Sequence, residues 1–235
     1  MVTIVFDLDG TLIDTAPDLI DTLNHILTQH GLPVVPYEAA RPLIGGGARG
    51  MIERALILEG RSAATADVDE LYASFVAYYA AHIADRSRPF PQVEPVLDHL
   101  AAAGYRLAVC TNKLEWLSKR LLDTLQLSAR FAAICGQDTF GIQKPDPQIF
   151  RATVTRAGGS PERAVMVGDS VTDLRTARAA QVPVVAVDFG YTDQPVATFA
   201  PDRVIGSFSE LPGAISSLGH VKNAVDDQAF IGHKD

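Results

Sequence analysis

Short apolar runs and helically spaced apolar positions divide the first ninety residues into two patterns. Ile4-Val5-Phe6 is typical of a buried strand and is followed at once by acidic residues. Beyond residue 14 the apolar positions recur at helical spacing instead. This spacing predicts an all-helical segment over 15–90, with Asp67 capping its third helix and with apolar helix positions at 19–27, 51–58 and 71–83.

After a proline-rich stretch around Pro91, strand and helix patterns alternate along the chain. The apolar runs predict strands at 107–109, 132–134, 164–167 and 184–187, with a weaker one at 204–205. Helical spacing predicts helices at 114–125, 147–157, 173–180 and 209–218. This alternation predicts an α/β fold, a doubly wound parallel sheet with helices on both faces.

The same patterns predict how the chain is divided. We expect a core formed by residues 1–14 and 91–218, a helical insertion at 15–90, and a polar, loosely held tail at 219–235. Because every crossover passes through a helix, all the strands should point the same way. Their carboxyl ends then share one edge of the sheet, where open α/β folds bind ligands.

Composition excludes some classes of partner. The 235 residues are 47% hydrophobic, which is enough for a substantial core, but no apolar run approaches the roughly 18 residues of a membrane span. Lys and Arg total 20 against 28 Asp and Glu, giving a net charge of −8 without a basic cluster, so we expect no nucleic-acid or membrane partner. The absence of a signal-peptide pattern at the amino terminus favours a cytoplasmic location.

Two pairs of acidic residues follow predicted strands. Asp7 and Asp9 come directly after the first strand and are followed by Gly10, while Asp169 and Asp173 follow the strand at 164–167. Adjacent buried carboxylates repel each other, and a bound cation would remove that conflict. The alternatives are an acidic surface turn for the first pair and, for Asp173, an acidic residue in the first turn of a helix, which the helix dipole favours.

Two further strand ends have residues suited to phosphate. The hydroxyl of Thr111, the amide of Asn112 and nearby backbone N–H groups could hold phosphoryl oxygens at a helix start, although Thr-Asn is also an ordinary helix cap. Lys144 precedes a proline-rich helix entrance, where its ammonium could meet a phosphate as a point charge. A solvated surface lysine is the alternative for Lys144.

These four segments, in this order and each after a strand, resemble the motifs of the haloacid dehalogenase superfamily of phosphatases and phosphotransferases. The resemblance covers about residues 3 to 218 and implies a Rossmann-like core with an inserted helical cap. It implies that Asp7 is a nucleophile that forms an aspartyl-phosphate and that Asp9 is the general acid and base. A dehalogenase attacks carbon and needs no acid there, so Asp9 favours phosphoryl transfer.

The resemblance also implies a cofactor and its ligands. Mg²⁺ would be held by Asp7, the backbone carbonyl of Asp9 and Asp169, with Asp173 a further ligand or an orienting group. Catalytic Lys144 and the substrate-binding residues Thr111 and Asn112 are expected to hold the phosphoryl group. The expected partner is therefore a small phosphorylated metabolite, whereas nothing in the sequence indicates the oligomeric state.

A glycine-rich segment in the insertion bears on the substrate. Residues 41–49, Arg-Pro-Leu-Ile-Gly-Gly-Gly-Ala-Arg, resemble the substrate-facing loop of phosphoglycolate phosphatases, and Gly46 would allow close approach of the backbone. Arg41 or Arg49 would bind a substrate carboxylate, which favours 2-phosphoglycolate. Residues 144–150 depart from the more usual pattern of that group, so sugar phosphates, nucleotides and pyrophosphate stay open, as does a purely interhelical role for the glycines.

Two other functions share these motifs. A phosphomutase uses the same aspartyl-phosphate and differs only in the group that accepts the phosphate. A non-catalytic binding protein on the same scaffold is the third hypothesis, although it would have no use for the acid at Asp9. We therefore expect a Mg²⁺-dependent phosphatase that acts on a small metabolite.

Overall fold

Parallel strands form the centre of the molecule. The computed structural model describes residues 1–61, 68–192 and 194–219. Its strands, in chain order, are β1 (Thr3–Phe6), β2 (Ile13–Asp14), β3 (Arg88–Pro89), β4 (Arg106–Cys110), β5 (Ala133–Cys135), β6 (Ala164–Gly168), β7 (Val184–Val187) and β8 (Arg203–Ile205). Six of them form one sheet in the order β5-β4-β1-β6-β7-β8, with every neighbouring pair parallel.

Helices cover the sheet and form the insertion. In chain order they are α1 (Ala16–Gln29), α2 (Tyr37–Ala40), α3 (Gly47–Leu58), α4 (Val68–Ala81), α5 (Val93–Ala102), α6 (Glu115–Thr124), α7 (Pro147–Arg156), α8 (Val171–Ala180) and α9 (Leu211–Ser216). None of the helices in the described ranges is long and apolar enough to cross a membrane.

Alternation along the strands produces the two faces of the sheet. Ile4 and Phe6 of β1 are buried on one side, in the same cluster as the apolar residues of α5, α6 and α9. Val5, between them, is buried on the other side with Phe150 of α7 and Leu174 of α8. Successive side chains of a strand point to opposite faces, so a strand buried on both faces needs the continuous apolar run found here. The predicted doubly wound α/β fold is confirmed.

The helical segment between β2 and β3 forms a layered unit of its own. Helix α4 packs against both α1 and α3, and the apolar faces of all three are continuous with one face of the core. The chain enters this segment through β2 and leaves it through β3, and the two strands pair antiparallel. The predicted all-helical range thus contains one short strand, because the two connecting segments run side by side and satisfy each other's backbone groups. The predicted cap residue Asp67 and residues 220–235 of the predicted tail lie outside the described residues.

The helix that follows β6 begins with reciprocal hydrogen bonds. Ser170 and Asp173 form a capping box at the start of α8, in which the Ser170 backbone N–H donates to Asp173 Oδ2 at 3.1 Å. The Ser170 hydroxyl donates to the same oxygen at 2.7 Å. This box fixes the side chain of Asp173, which leaves its other oxygen, Oδ1, pointing to the edge of the sheet where the predicted site lies.

Candidate active site

The carboxyl ends of four strands place the predicted residues in one crevice. Asp7 follows β1, Thr111 follows β4, Lys144 lies in the connection after β5, and Asp169 follows β6. Strands β5, β4, β1 and β6 are consecutive neighbours in the sheet and all run parallel. Residues up to about 160 positions apart in the chain therefore meet, because parallel strands end at a common edge.

Three buried carboxylates form the centre of the site. One oxygen from each of Asp7, Asp169 and Asp173 lies within 4.8 Å of the others. Lys144 connects two of them, with its Nζ 2.9 Å from Asp7 Oδ1 and 2.6 Å from Asp173 Oδ1. Its side chain is only 2% exposed, so Lys144 is buried among these carboxylates and does not lie in solvent.

Burial of these charges shifts their ionisation. Burial, opposed in part by Lys144, raises the pKa of Asp7 to about 6. Burial together with the neighbouring Asp173 and Asp7 raises the pKa of Asp169 to about 8. Burial lowers the pKa of Lys144, but Asp173 and Asp7 outweigh it and the net shift is upward. Three carboxylates face one ammonium, so the cluster has negative charge that a divalent cation would neutralise.

The same cluster provides a chemical test of whether a metal fits. Hard divalent cations such as Mg²⁺ bind oxygen ligands, commonly one or two carboxylates with water and phosphate oxygens completing the shell. Asp7, Asp169 and Asp173 offer such oxygens, all buried and close together. Burial and neighbouring carboxylates raise the pKa of Asp7 and of Asp169, and a bound cation would favour the ionised form of both. The residues present therefore fit a divalent metal.

Asp9 points away from this cluster. Its Oδ1 accepts a hydrogen bond from the Thr15 hydroxyl at 2.7 Å, and its Oδ2 lies 3.0 Å from Lys113 Nζ. The side chain of Asp9 lies outside the cluster of Asp7, Asp169 and Asp173, so Asp9 could bind a metal in that cluster only through its backbone carbonyl. The side chains of Asp7 and Asp9 therefore lie on different sides of the crevice.

Asn112 holds the lysine loop in place. Its side-chain amide donates to the Lys144 carbonyl at 3.1 Å, and its Oδ1 accepts from the Lys144 N–H at 2.8 Å. Both polar groups of the predicted substrate-binding amide are thus engaged with the backbone of Lys144. Thr111 is 1% exposed at the floor of the same crevice, and its Oγ1 accepts from the Lys113 N–H at 3.2 Å.

The predicted carboxylate-binding arginines lie elsewhere. Arg41 donates to the carbonyls of Phe189 at 3.1 Å and Gly190 at 2.8 Å, and its guanidinium lies over the Tyr191 ring. Arg49 pairs with Asp69 on the surface. Neither arginine lines the pocket that contains Asp7 and Asp9. The cause is the packing of the insertion, which turns one arginine to the core loop and the other to α4.

Gly46, the glycine predicted to bind substrate, does not line the pocket that contains Asp9. Gly46 borders a separate depression beside Asp169, whereas its neighbours Gly45 and Gly47 line the pocket above Asp9. A Cβ at Gly46 would meet the Arg54 guanidinium at 2.7 Å. The end of the Arg54 side chain is flexible and can shift, so this contact does not require a glycine at position 46.

The loop after β7 joins the metal-facing acid to the base of the insertion. The Tyr191 N–H donates to Asp169 Oδ2 at 2.8 Å, while the Tyr191 hydroxyl donates to Asp14 Oδ1 at 2.7 Å. The same hydroxyl accepts from the backbone N–H of Thr15 at 2.7 Å and of Ala16 at 2.9 Å. Tyr191 therefore connects the cluster to the segment where the chain enters the insertion.

Two of these side chains, Lys113 and Tyr191, were not predicted. The motif at Thr111 and Asn112 predicts no role for the next residue, Lys113, although a lysine at a strand's carboxyl end is itself a signal for anion chemistry. Tyr191 follows β7 at the same edge of the sheet. The rule that all strand ends share one edge could have indicated it, because the prediction of β7 was correct.

The chain belongs to the haloacid dehalogenase-like hydrolase family, whose model matches residues 4–187. The phosphoglycolate phosphatase of Mesorhizobium japonicum is 51% identical over 88% of this chain and 92% of its own length. That of Caulobacter vibrioides is 48% identical over 92% of this chain and 91% of its own. The matches thus cover the core motifs and the helical insertion together.

Solved structures share the same architecture. A predicted phosphoglycolate phosphatase from Haemophilus somnus superposes with a TM-score of 0.83 at 28% identity, over 91% of this chain and 97% of that one. CbbY from Rhodobacter sphaeroides, solved in complex with phosphate, has a TM-score of 0.76 at 26% identity, over 90% and 96% of the two chains. Family membership and fold therefore agree with the resemblance found in the motifs.

Proposed function

We propose that this protein is a Mg²⁺-dependent phosphatase that hydrolyses 2-phosphoglycolate through an aspartyl-phosphate on Asp7. The observation that supports it best is the separation of two acids that stand one residue apart. Asp7 faces the buried carboxylate cluster, and Asp9 faces the pocket below the insertion. Two relatives that are 51% and 47% identical are phosphoglycolate phosphatases, which supports the substrate.

The first proposed step transfers the phosphoryl group to the enzyme. A carboxylate oxygen of Asp7 attacks phosphorus, the bond from phosphorus to the ester oxygen breaks, and Asp9 donates its proton to that oxygen as glycolate leaves. Lys144, buried and 2.9 Å from Asp7 Oδ1, orients the nucleophile and offsets repulsion between it and the anionic substrate. Thr111 lies at the same edge and is placed to donate to a phosphoryl oxygen.

The second step regenerates the enzyme. Asp9, now a carboxylate, takes a proton from water as the water oxygen attacks phosphorus, and the bond to Asp7 breaks to release inorganic phosphate. Bound Mg²⁺ would supply charge neutralisation for the phosphoryl oxygens. Asp7, Asp169 and the Asp9 carbonyl would hold it, and Asp173 would orient Lys144 through its 2.6 Å contact.

The division of the chain is part of the proposal. We propose that residues 15–90 act as a cap over a core formed by 1–14 and 91–218, and that the protein acts in the cytoplasm. The paired linkers β2 and β3 would allow the cap to move as one unit, since only two strands of two residues join it to the core.

The test is the isosteric variant Asp7→Asn. An amide cannot attack phosphorus, so we expect Mg²⁺-dependent turnover of 2-phosphoglycolate to fall by at least about 10³-fold while the circular dichroism spectrum is unchanged. Asp123→Asn, the same change at an exposed position near the end of α6, is the control and should leave turnover unchanged. Near-normal activity in Asp7→Asn would reject the nucleophile assignment.

Substrate rank is tested separately on the unaltered enzyme. Initial rates should give a higher kcat/KM for 2-phosphoglycolate than for a sugar phosphate, a nucleoside monophosphate or pyrophosphate. If kcat/KM for 2-phosphoglycolate is lower than for the other esters and Asp7→Asn is inactive, the proposed substrate is wrong but the proposed phosphatase mechanism is retained.

A further inference from the structure

A pocket between the core and the insertion lies directly above Asp9. Its floor is the crevice at the ends of β1 and β4, and its walls come from α1, α3, α4 and α6. The walls are mainly apolar and are formed by Leu19, Ile44, Met51, Phe75, Val76 and Leu117. Since Asp9 donates to the leaving oxygen in the proposed mechanism, this pocket is where the leaving alcohol would lie.

Lys113 is the one cationic side chain among the described residues that line this pocket. Its side chain is 6% exposed, and its Nζ lies 3.0 Å from Asp9 Oδ2. The ammonium also lies 4.6 Å from the centre of the Tyr79 ring, in cation–π geometry. An ammonium has three donors, and a single carboxylate contact leaves donors for a second anion.

Tyr79 brings a second polar group to the same place. The side chain is 1% exposed, and its hydroxyl lies beside the Lys113 ammonium but makes no well-formed hydrogen bond with any described residue. Leaving a buried hydroxyl unpaired costs about 1–3 kcal/mol, so a partner from outside the protein, such as water or a ligand, would stabilise it. A hydroxyl beside a buried ammonium matches an anionic group of a ligand.

We propose that Lys113, assisted by Tyr79, is the specificity-determining residue that binds the carboxylate of the leaving alcohol. This inference rests on the proposed function, because it needs the leaving group to lie beside Asp9. Asp9 and Lys113 are in contact, so an anion that meets Lys113 must lie within a few bonds of the oxygen that Asp9 protonates. In glycolate the carboxyl carbon is two bonds from that oxygen, and most of the wall beyond is apolar.

The arginines do not compete for this role. Arg41 is engaged with two core carbonyls, and Arg49 pairs with Asp69 on the surface. Moving either into the pocket would require breaking those contacts. Lys113 is already inside it, buried and next to the proton donor.

The test compares two substrates that differ only in the carboxylate. We would measure kcat/KM for 2-phosphoglycolate and for ethyl phosphate, in which a methyl group replaces the carboxylate. In Lys113→Met the preference for 2-phosphoglycolate should fall by about 10- to 100-fold, the value of a hydrogen bond to a charged group. Lys113→Arg should restore part of it, since it keeps the charge.

Two more variants separate a specific effect on the carboxylate from a general loss of folding. Tyr79→Phe removes only the hydroxyl and should lower the preference by about 3- to 10-fold. Lys119→Met is the matched control, because Lys119 is half-exposed on α6 and pairs with Glu115 outside the pocket. It should leave the preference unchanged.

Each outcome bears on one claim. If the unaltered enzyme does not prefer 2-phosphoglycolate, the proposed substrate and the role of Lys113 both fail. If it does, and Lys113→Met loses both substrates equally, then Lys113 only positions Asp9 and our inference is wrong while the proposed function stands. A selective loss of 2-phosphoglycolate in Lys113→Met and Tyr79→Phe supports the inference.

Discussion

The charge of the acid cluster should be measurable as a pH dependence of folding stability. We consider Asp169→Asn in protein stripped of divalent metal. Burial, with Asp173 and Asp7 as further causes, raises the pKa of Asp169 from 3.8 to about 8. The variant replaces this titrating group with a neutral amide of the same shape.

The sign follows from which state binds the proton. Between pH 4 and pH 8 the folded protein keeps a proton on Asp169 that the unfolded chain has released, so the stability contributed by the raised pKa is lost as the pH rises towards 8. One proton corresponds to about 1.4 kcal/mol per pH unit, or about 2–3 kcal/mol between pH 6 and pH 8. Asp7, whose pKa is about 6, adds to the slope only below that pH.

Urea unfolding in EDTA at pH 6, 7 and 8 would measure this difference. The free energy of unfolding of the unaltered protein should fall by about 2–3 kcal/mol more than that of Asp169→Asn over this range. Subtracting the variant cancels the histidines and other groups common to both proteins. The unaltered protein's loss should level off only above pH 8, where Asp169 is ionised in both the folded and the unfolded state.

Saturating Mg²⁺ should abolish this pH dependence. A cation needs the ionised carboxylate, so its apparent affinity should rise by about tenfold per pH unit between pH 6 and pH 8, and the resulting gain in stability offsets the loss from the Asp169 proton. Parallel pH curves for the two metal-free proteins would refute the reasoning, because they would show that Asp169 is already ionised when the protein is folded.

Two further changes test the surroundings of the cluster. Gly10 has φ +84°, and a Cβ there would overlap the Asp169 carboxylate. Gly10→Ala should therefore weaken Mg²⁺ binding at least tenfold by calorimetry and lower the free energy of unfolding in urea by about 1–3 kcal/mol. Unchanged Mg²⁺ binding would contradict this prediction. Tyr191→Phe should lower the free energy of unfolding by about 1–3 kcal/mol, because two backbone N–H groups and Asp14 lose their hydroxyl partner. The Mg²⁺ affinity should change little, because the Tyr191 backbone N–H still donates to Asp169.

The core of the site could be predicted because it depends on short-range rules. A buried parallel strand must be apolar, so the residue where polarity begins marks the end of the strand. Asp7, Thr111 and Asp169 each stand at such a point, and sheet topology alone brings them together. Strand β7 could be located in the same way, from its continuous apolar run.

The insertion could be predicted only as helices. Its periodicity shows which side of each helix is buried but not how the helices are rotated onto the core. Arg41 and Arg49 had the right chemistry for a carboxylate, yet their placement depends on that packing, which directs them to Gly190 and Asp69. The meeting of Tyr79 with Lys113 depends on the same packing and had no signal in the local sequence.

The positions of the two buried lysines separate the site into two halves. Lys144 contacts Asp7 and Asp173 on the metal side, and Lys113 contacts Asp9 on the leaving-group side. With Asp169 the site has four carboxylates and two ammonium groups, so its net charge is −2 when all are ionised, and one divalent cation neutralises it. In the proposed mechanism Lys144, held between two acids, remains with the transferred phosphoryl group, which every substrate shares. In that mechanism only the half that contains Lys113 meets the part of the substrate that varies, so we expect discrimination among phosphate esters to originate there and in the insertion above it.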